Sequence, residues 1–149
     1  MKITILCENL VGKLVGAGEH GFSAFIEMEE GNYLFDTGTG PSIVANSLVF
    51  NKDLRSVKKI FLSHGHFDHS GGLPEVLKLR SKVDVHIHPH DFLDRMAAHK
   101  ENGEEKKRFV GIPYKRGYLE ALGANFISNH TFLEVERGIY LTGEVPRKT

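Results

Sequence analysis

Four side chains that bind metals stand within six residues of one another. His64, His66, Asp68 and His69 form the pattern His-x-His-x-Asp-His inside the stretch FLSHGHFDHSGGL, Phe61 to Leu73. Imidazole nitrogen and carboxylate oxygen together suit zinc, iron or manganese. The spacing is short enough for all four groups to converge on one small volume, and too dense for a polar loop with histidines placed by chance. Two further histidine groups stand apart from it: His20 in a glycine-containing loop, and His86, His88 and His90 around Pro89.

The elements that must hold this loop are legible around it. Ile60, Phe61 and Leu62 lead in as a buried strand ending at Ser63, and Gly71, Gly72 and Pro74 lead out into a helix over Leu73 to Leu79, with Pro74 in the first turn where a missing N–H is harmless. Upstream, Lys2 to Glu8 reads as a strand and Asn9 to Gly21 as a glycine-rich loop without a GxGxxG phosphate cradle. Phe22 to Met28 is a strand, Glu29 to Asn32 a hairpin turn with positive φ at Gly31 and Asn32, and Tyr33 to Phe35 the paired strand. Ser42 N-caps a helix reaching about Phe50, and Asp53 to Lys59 is a polar connection. Val83 to His88 alternates as a strand, with His86 and His88 opposite Val85 and Ile87; Asp91 then caps a helix from Phe92 to about Lys100. Phe92, Met96 and Phe109 read as core or lid packing, His99 and His130 as surface. Asn102 to Arg108 is an exposed charged loop, and Gly117 to Leu122 a helix closed by Gly123. Asn125 to Ser128, Thr131 to Glu136 and Gly138 to Thr142 are short strands, the last two joined at Arg137 and Gly138. Strands alternating with helices, with hairpins at both ends, describe a layered α/β domain.

Composition sets the outer bounds. A chain of 149 residues with 40% hydrophobic and 26% charged residues is enough for one domain, residues 1–149, with a core of its own. Formal net charge is zero, so there is no overall positive field to gather nucleic acid. Cys7 is the single cysteine, which excludes an internal disulfide and argues against a Cys-based zinc site. With neither a secretory leader pattern nor an apolar run of membrane-spanning length, a cytoplasmic protein is expected.

The motif after its hydrophobic strand resembles the signature of the metallo-β-lactamase superfamily. Together with EHGFSAFIE, LFDTGTG and LTGEVPR, it looks most like a branch typified by a dihydropterin–aminobenzene ribofuranosyl phosphate synthase and related metal-dependent hydrolases. The resemblance covers nearly the whole chain. It implies an αββα sandwich, of which this chain supplies the N-terminal half, and a small-molecule substrate attacked by metal-activated water. It implies that His64 and His66 serve one divalent metal, zinc first with iron or manganese possible, and that Asp68 and His69 serve a second. Asp68 would also orient or deprotonate the water, the catalytic role. Asp36 would brace the histidines by hydrogen bonds. His20, His88 and His90 would lie at the substrate rim.

The family uses a later His, a bridging Asp and a final His as well. No His follows His130 here, and no Asp follows it either. Two protein ligands per ion bind weakly, and half a sandwich leaves an apolar sheet face to cover. Self-association, a partner chain or a longer polypeptide would complete the fold. Two other readings stand beside the hydrolase: a non-catalytic metal-binding or assembly module, and a nuclease of the same superfamily, which the neutral charge disfavours.

Overall fold

The alternating apolar residues of the chain assemble one six-stranded sheet. Its strands are β1 (Lys2–Cys7), β2 (Ser23–Glu27), β3 (Asn32–Phe35), β4 (Val57–Phe61), β5 (Val83–Ile87) and β8 (Ala124–Ser128). Among the described residues four α-helices accompany it, α1 (Ile43–Val49), α2 (Phe67–Ser70), α3 (Leu73–Leu79) and α4 (Arg116–Ala121), with a 3-10 turn over Leu54–Ser56. Two hairpins stand outside the sheet, one from β6 (Met96–Glu101) and β7 (Glu104–Phe109), the other from β9 (Leu133–Glu136) and β10 (Ile139–Leu141). The computed structural model describes residues 1–10 and 15–146. Gly12 of the glycine-rich loop and Arg147 of the LTGEVPR stretch lie outside the described residues.

Strand order is β1-β2-β3-β4-β5-β8. The first three strands pair antiparallel; from β3 onward neighbours are parallel. Parallel strands need crossovers, and α1, then α2 with α3, then α4 lie within them. One consequence governs the site. The carboxyl ends of β3, β4 and β5 lie at the same edge, so the segments that follow them are brought side by side. In open α/β sheets that edge is where ligands bind.

The two faces of the sheet differ. Phe25, Leu34, Ile60 and Val85 stand in register across β2 to β5. They form one core with Ile43 of α1, Leu73, Val76 and Leu77 of α3, and Leu119 of α4. Each such buried aliphatic side chain contributes about 1.5–3 kcal/mol relative to exposure. The adjacent row, Ala24, Phe35, Phe61, His86 and Ile127, faces the other way. There the β9–β10 hairpin docks through Glu136, which accepts from the Tyr33 hydroxyl and lies 3.9 Å from Lys59 Nζ. On the same face, Ile3 and Ile5 of β1 are 52% and 42% exposed. Among the described residues, no helix is long and apolar enough to cross a membrane.

Several local expectations are corrected. From Met96 onward, the segment read as a helix from Phe92 to about Lys100 and a loop from Asn102 to Arg108 is the β6–β7 hairpin, turning at Asn102 (φ 54°) and Gly103 (φ 84°). Positive φ at both central residues is the two-residue turn that matches strand twist, and it overrides the helix preference of Ala97, Ala98 and Lys100. Asp91 consequently caps no helix; its carboxylate accepts the His88 amide at 2.9 Å. Met96 and Phe109 face each other across the hairpin base, 55% and 46% exposed, whereas Phe92 does pack inward, edge-on to Phe126. Asn32 already belongs to β3, and only Gly31 turns with positive φ. Ser42 occupies the N-cap position without a side-chain cap; Glu19 accepts its amide at 2.8 Å. β4 starts at Val57, inside the stretch read as a connection, and ends at Phe61.

Candidate metal centre

The site is built where β3 and β4 end side by side. Asp36 follows β3 in the left-handed region (φ 55°), a conformation Asp tolerates better than most residues, and it is fully buried. That turn aims its carboxylate at the neighbouring loop. Oδ1 accepts the Ser63 amide at 2.7 Å. Oδ2 accepts the Ser63 hydroxyl and His69 Nδ1–H, both at 2.7 Å.

These bonds fix protons further out. With its proton given to Asp36, the Ser63 hydroxyl oxygen is an acceptor, and His64 Nδ1–H donates to it at 2.9 Å. In the neutral rings, one buried carboxylate thereby puts the proton of both His64 and His69 on Nδ1 and leaves the lone pair on Nε2, the tautomer a ligand needs. His66 Nδ1 lies 3.0 Å from His64 Nε2 and donates to it. Burial, reinforced by repulsion from His69 and His66, pushes the His64 pKa down and keeps that ring neutral. The bond to Asp36 raises the His69 pKa against the opposing effect of burial.

Asp68 and His69 sit on the short helix α2. The His66 carbonyl opens that turn, accepting from the amides of His69 and Ser70 and from the Ser70 hydroxyl. Neighbouring loops clamp it. Thr37 N–H donates to the His69 carbonyl at 2.7 Å, and Phe22 N–H to the Asp68 carbonyl at 3.2 Å. The approach is so close that a Cβ on Gly72 would run into the Thr37 carbonyl oxygen, and one on Gly21 into that of Asp68. Glycine is required at both places by contact with backbone, which cannot yield.

The four motif side chains are neighbours that close pairwise. The His64 ring lies 4.5 Å from that of His66 and 4.2 Å from that of His69, centroid to centroid. Asp68 Oδ2 is 3.7 Å from His69 Nε2. His20 joins this group: its Nε2 is 3.3 Å from Asp68 Oδ2, with the side chain 65% exposed. His88 and His90 do not; they follow the end of β5.

Between the two lies a cavity of about 480 Å³, reaching from Ser63 and His64 past Phe61 and His86 to His88, with Tyr140 and Leu141 of β10 as its other wall. His86 is buried, stacked on Phe61 at 5.1 Å, and its Nδ1 bonds Asn129 Oδ1 at 2.8 Å. Its Nε2 has no partner among the described residues. Sequence reasoning passed over Ser63, Asn129 and Glu144. Ser63 could have been found, since a hydroxyl directly before the first histidine is within reach of both imidazoles; Asn129 and Glu144 carry no local signal.

Residues 16–146 match the metallo-beta-lactamase superfamily. The chain belongs to that superfamily. It is 32% identical over 151 aligned positions to an uncharacterised protein of Methanocaldococcus jannaschii, covering 98% of this chain and 54% of that one. It is 30% identical over 135 positions to the 7,8-dihydropterin-6-methyl-4-(beta-D-ribofuranosyl)-aminobenzene-5′-phosphate synthase of the same organism, covering 85% of this chain and 44% of the relative. The chain therefore spans about half the length of the curated relatives it matches. Among solved structures, a quorum-quenching N-acyl homoserine lactone lactonase shares the fold with a TM-score of 0.52 at 20% identity, over 81% of this chain and 49% of the other. Members of the superfamily are mostly metal-dependent hydrolases that bind divalent metals, often zinc. The chemistry of the donor set suits such an ion: three imidazoles and a carboxylate, with His69 Nε2 3.7 Å from Asp68 Oδ2 and His64 Nε2 bonded to His66 until an ion displaces that contact.

Proposed function

We propose that His64, His66, Asp68 and His69 hold two divalent metal ions, zinc first, and that the chain carries the water-activating half of a hydrolase for small-molecule esters or phosphoesters. The observation that supports this most directly is the Asp36–Ser63 network, which sets two of the three motif histidines in ligand form before any metal arrives. When bound, the ions supply the positive charge that lowers the pKa of water and stabilises charge developing on the substrate.

The chain's own residues do the rest. Asp68 accepts a hydrogen bond from the attacking water and takes its proton. His20, against Asp68 on the solvent side, steadies that carboxylate and forms part of the rim. The cavity beside His64 takes the body of the substrate, with Phe61 as an aromatic wall and His86 Nε2 as a buried acceptor. The relative named for a phosphate-bearing product favours the phosphoester class over other esters. The open face carrying Ile3 and Ile5 is where a second copy, a partner chain or further polypeptide completes the sandwich and adds ligands.

Two measurements test the reading together: metal content of the zinc-reconstituted chain by elemental analysis, and turnover of a chromogenic phosphodiester. His66→Ala and Asp68→Ala are expected to lower the bound zinc and to abolish metal-dependent turnover by the complete enzyme. Unchanged metal content in both variants sinks the ligand assignment; unchanged turnover sinks the mechanism.

A further inference from the structure

A second set of metal-binding side chains lies at the far end of the cavity, away from the motif. His88, His90 and Glu144 each present a ligand atom, and these atoms all lie within 4.8 Å of one another. We propose that these three residues form a separate divalent-cation site, for an ion of the zinc or ferrous type, that ties the end of β5 to the segment following β10.

The three ligands rest on anchored backbone. The His88 amide donates to the buried carboxylate of Asp91 at 2.9 Å. The Glu144 amide donates to the His130 carbonyl at 3.1 Å, which fixes the strand exit that carries it. Pro89 stiffens the link between the two histidines, and their rings meet edge to face at 5.0 Å. His88 Nε2 already lies 3.1 Å from Glu144 Oε1, across a separation of 56 residues. Without a metal, the His90 amide donates to His88 Nδ1 at 3.2 Å, so Nε2 bears the proton and donates it to Glu144. An ion at Nε2 takes the place of that proton, which moves to Nδ1. The exchange replaces the 3.1 Å bond between His88 and Glu144 by ligation of both groups and costs the 3.2 Å bond from the His90 amide, whose N–H then faces the Nδ1 proton.

The chemistry of the donors sets the class of ion. Two imidazoles and one carboxylate with open positions suit zinc or ferrous iron and are poor ligands for magnesium or calcium, which want oxygen. Both His90 and Glu144 are exposed, so water fills the remaining positions. An ion there closes a long loop and pins Glu144 beside Thr142 and Gly143, which line the cavity mouth. Occupancy thus stabilises the fold by mass action and sets the shape of the entrance.

The test separates this site from the motif. In a chain carrying His66→Ala and Asp68→Asn, zinc titration by calorimetry is expected to retain one ion per chain and to raise the melting temperature; magnesium should not displace it. Adding His90→Ala or, separately, Glu144→Gln should weaken that ion by about tenfold or more, at least the scale seen when only an outer-shell partner is lost. In the otherwise unaltered chain, the same two substitutions should remove one ion and leave the motif's zinc in place. Both positions are exposed, so the fold survives them. Absence of zinc binding by the motif-depleted chain overturns the proposal, as does equal affinity with and without Glu144→Gln and His90→Ala. Loss of the motif's ions alone bears on the proposed hydrolase and leaves this site standing.

Discussion

Replacing Asp36 by Asn keeps the shape of the side chain and its tolerance of a left-handed backbone, but inverts the protons of the site. Oδ1 can still accept the Ser63 amide. At the Oδ2 position an NH2 group would face two partners that now donate to it, the Ser63 hydroxyl and His69 Nδ1, both at 2.7 Å. Each is a bond to a buried carboxylate, worth roughly 1.5–3 kcal/mol. Both can be remade only backwards. The amide would donate to His69 Nδ1 and drive that ring's proton to Nε2, the atom that must bind metal. It would also donate to Ser63, whose own proton would turn to His64 Nδ1 and drive that ring to the wrong tautomer too. Partial recovery of the bonds limits the loss of metal-free stability to roughly 2–4 kcal/mol. Zinc affinity should fall by roughly 10–100-fold, or about 1.4–2.7 kcal/mol. Urea unfolding of the metal-free chain measures the first quantity, and competition against a chromogenic chelator the second. Asp36→Ala separates them: it places a non-glycine residue at φ 55° without Asp's local hydrogen bonding, yet imposes no wrong tautomer, so it should be less stable than the Asn variant and bind zinc better. Wild-type zinc affinity in Asp36→Asn refutes the proton-setting role.

Leu34→Ala, at a position with no exposure in the centre of the sheet, should cost about 2–5 kcal/mol in urea unfolding. Gly72→Ala forces a methyl against the Thr37 carbonyl and should lose about 1–3 kcal/mol, with reduced zinc uptake because the same contact clamps the histidine loop. Burial, aided by the nearby Glu19 carboxylate, pushes the Cys7 thiol up to about 12, so iodoacetamide at pH 8 should leave the native chain unmodified and label it promptly in urea. The unfolded thiol ionises near 9.0, and the native one does not. The Cys7 contribution to stability is therefore fully present below pH 9 and is lost at up to about 1.4 kcal/mol per pH unit from there toward 12. Cys7→Ala should remove that part and leave the decline above pH 10 from Tyr33, whose hydroxyl is likewise pushed up to about 12 by burial.

What could be read in advance was local. The motif, the strand before it and the proline-started helix after it lie within twenty residues of chain and carry their own patterns. The sheet strands are marked by runs of β-forming apolar residues, with strict alternation only from Val83 to His88. The hairpin from Met96 to Phe109 escaped because it buries almost nothing; its strands have no apolar alternation, and only Asn102 and Gly103 marked the turn. The Asp36–Ser63 bonds and the meeting of His88 with Glu144 depend on separations of 27 and 56 residues, which sheet order determines and local pattern does not. Asp36 itself could be picked out from family resemblance, but its left-handed backbone, which aims the carboxylate, has no signature in FDTG.

The β6–β7 hairpin has a narrow neck. The Val110 amide donates to the Arg95 carbonyl at 2.8 Å, closing it, and the Val110 carbonyl accepts the Phe67 amide at 3.1 Å. Every hairpin residue beyond the neck is exposed except half-buried Ala97. The two parts therefore answer to different constraints. Beyond the neck, the chain can be lengthened, shortened or exchanged for another arm without disturbing the sheet. At the neck, a single carbonyl is tied to the residue between His66 and Asp68. The protein thus carries an interchangeable appendage whose root is mechanically continuous with its chemistry, an arrangement in which descendants can acquire new reach while the reacting groups keep their places.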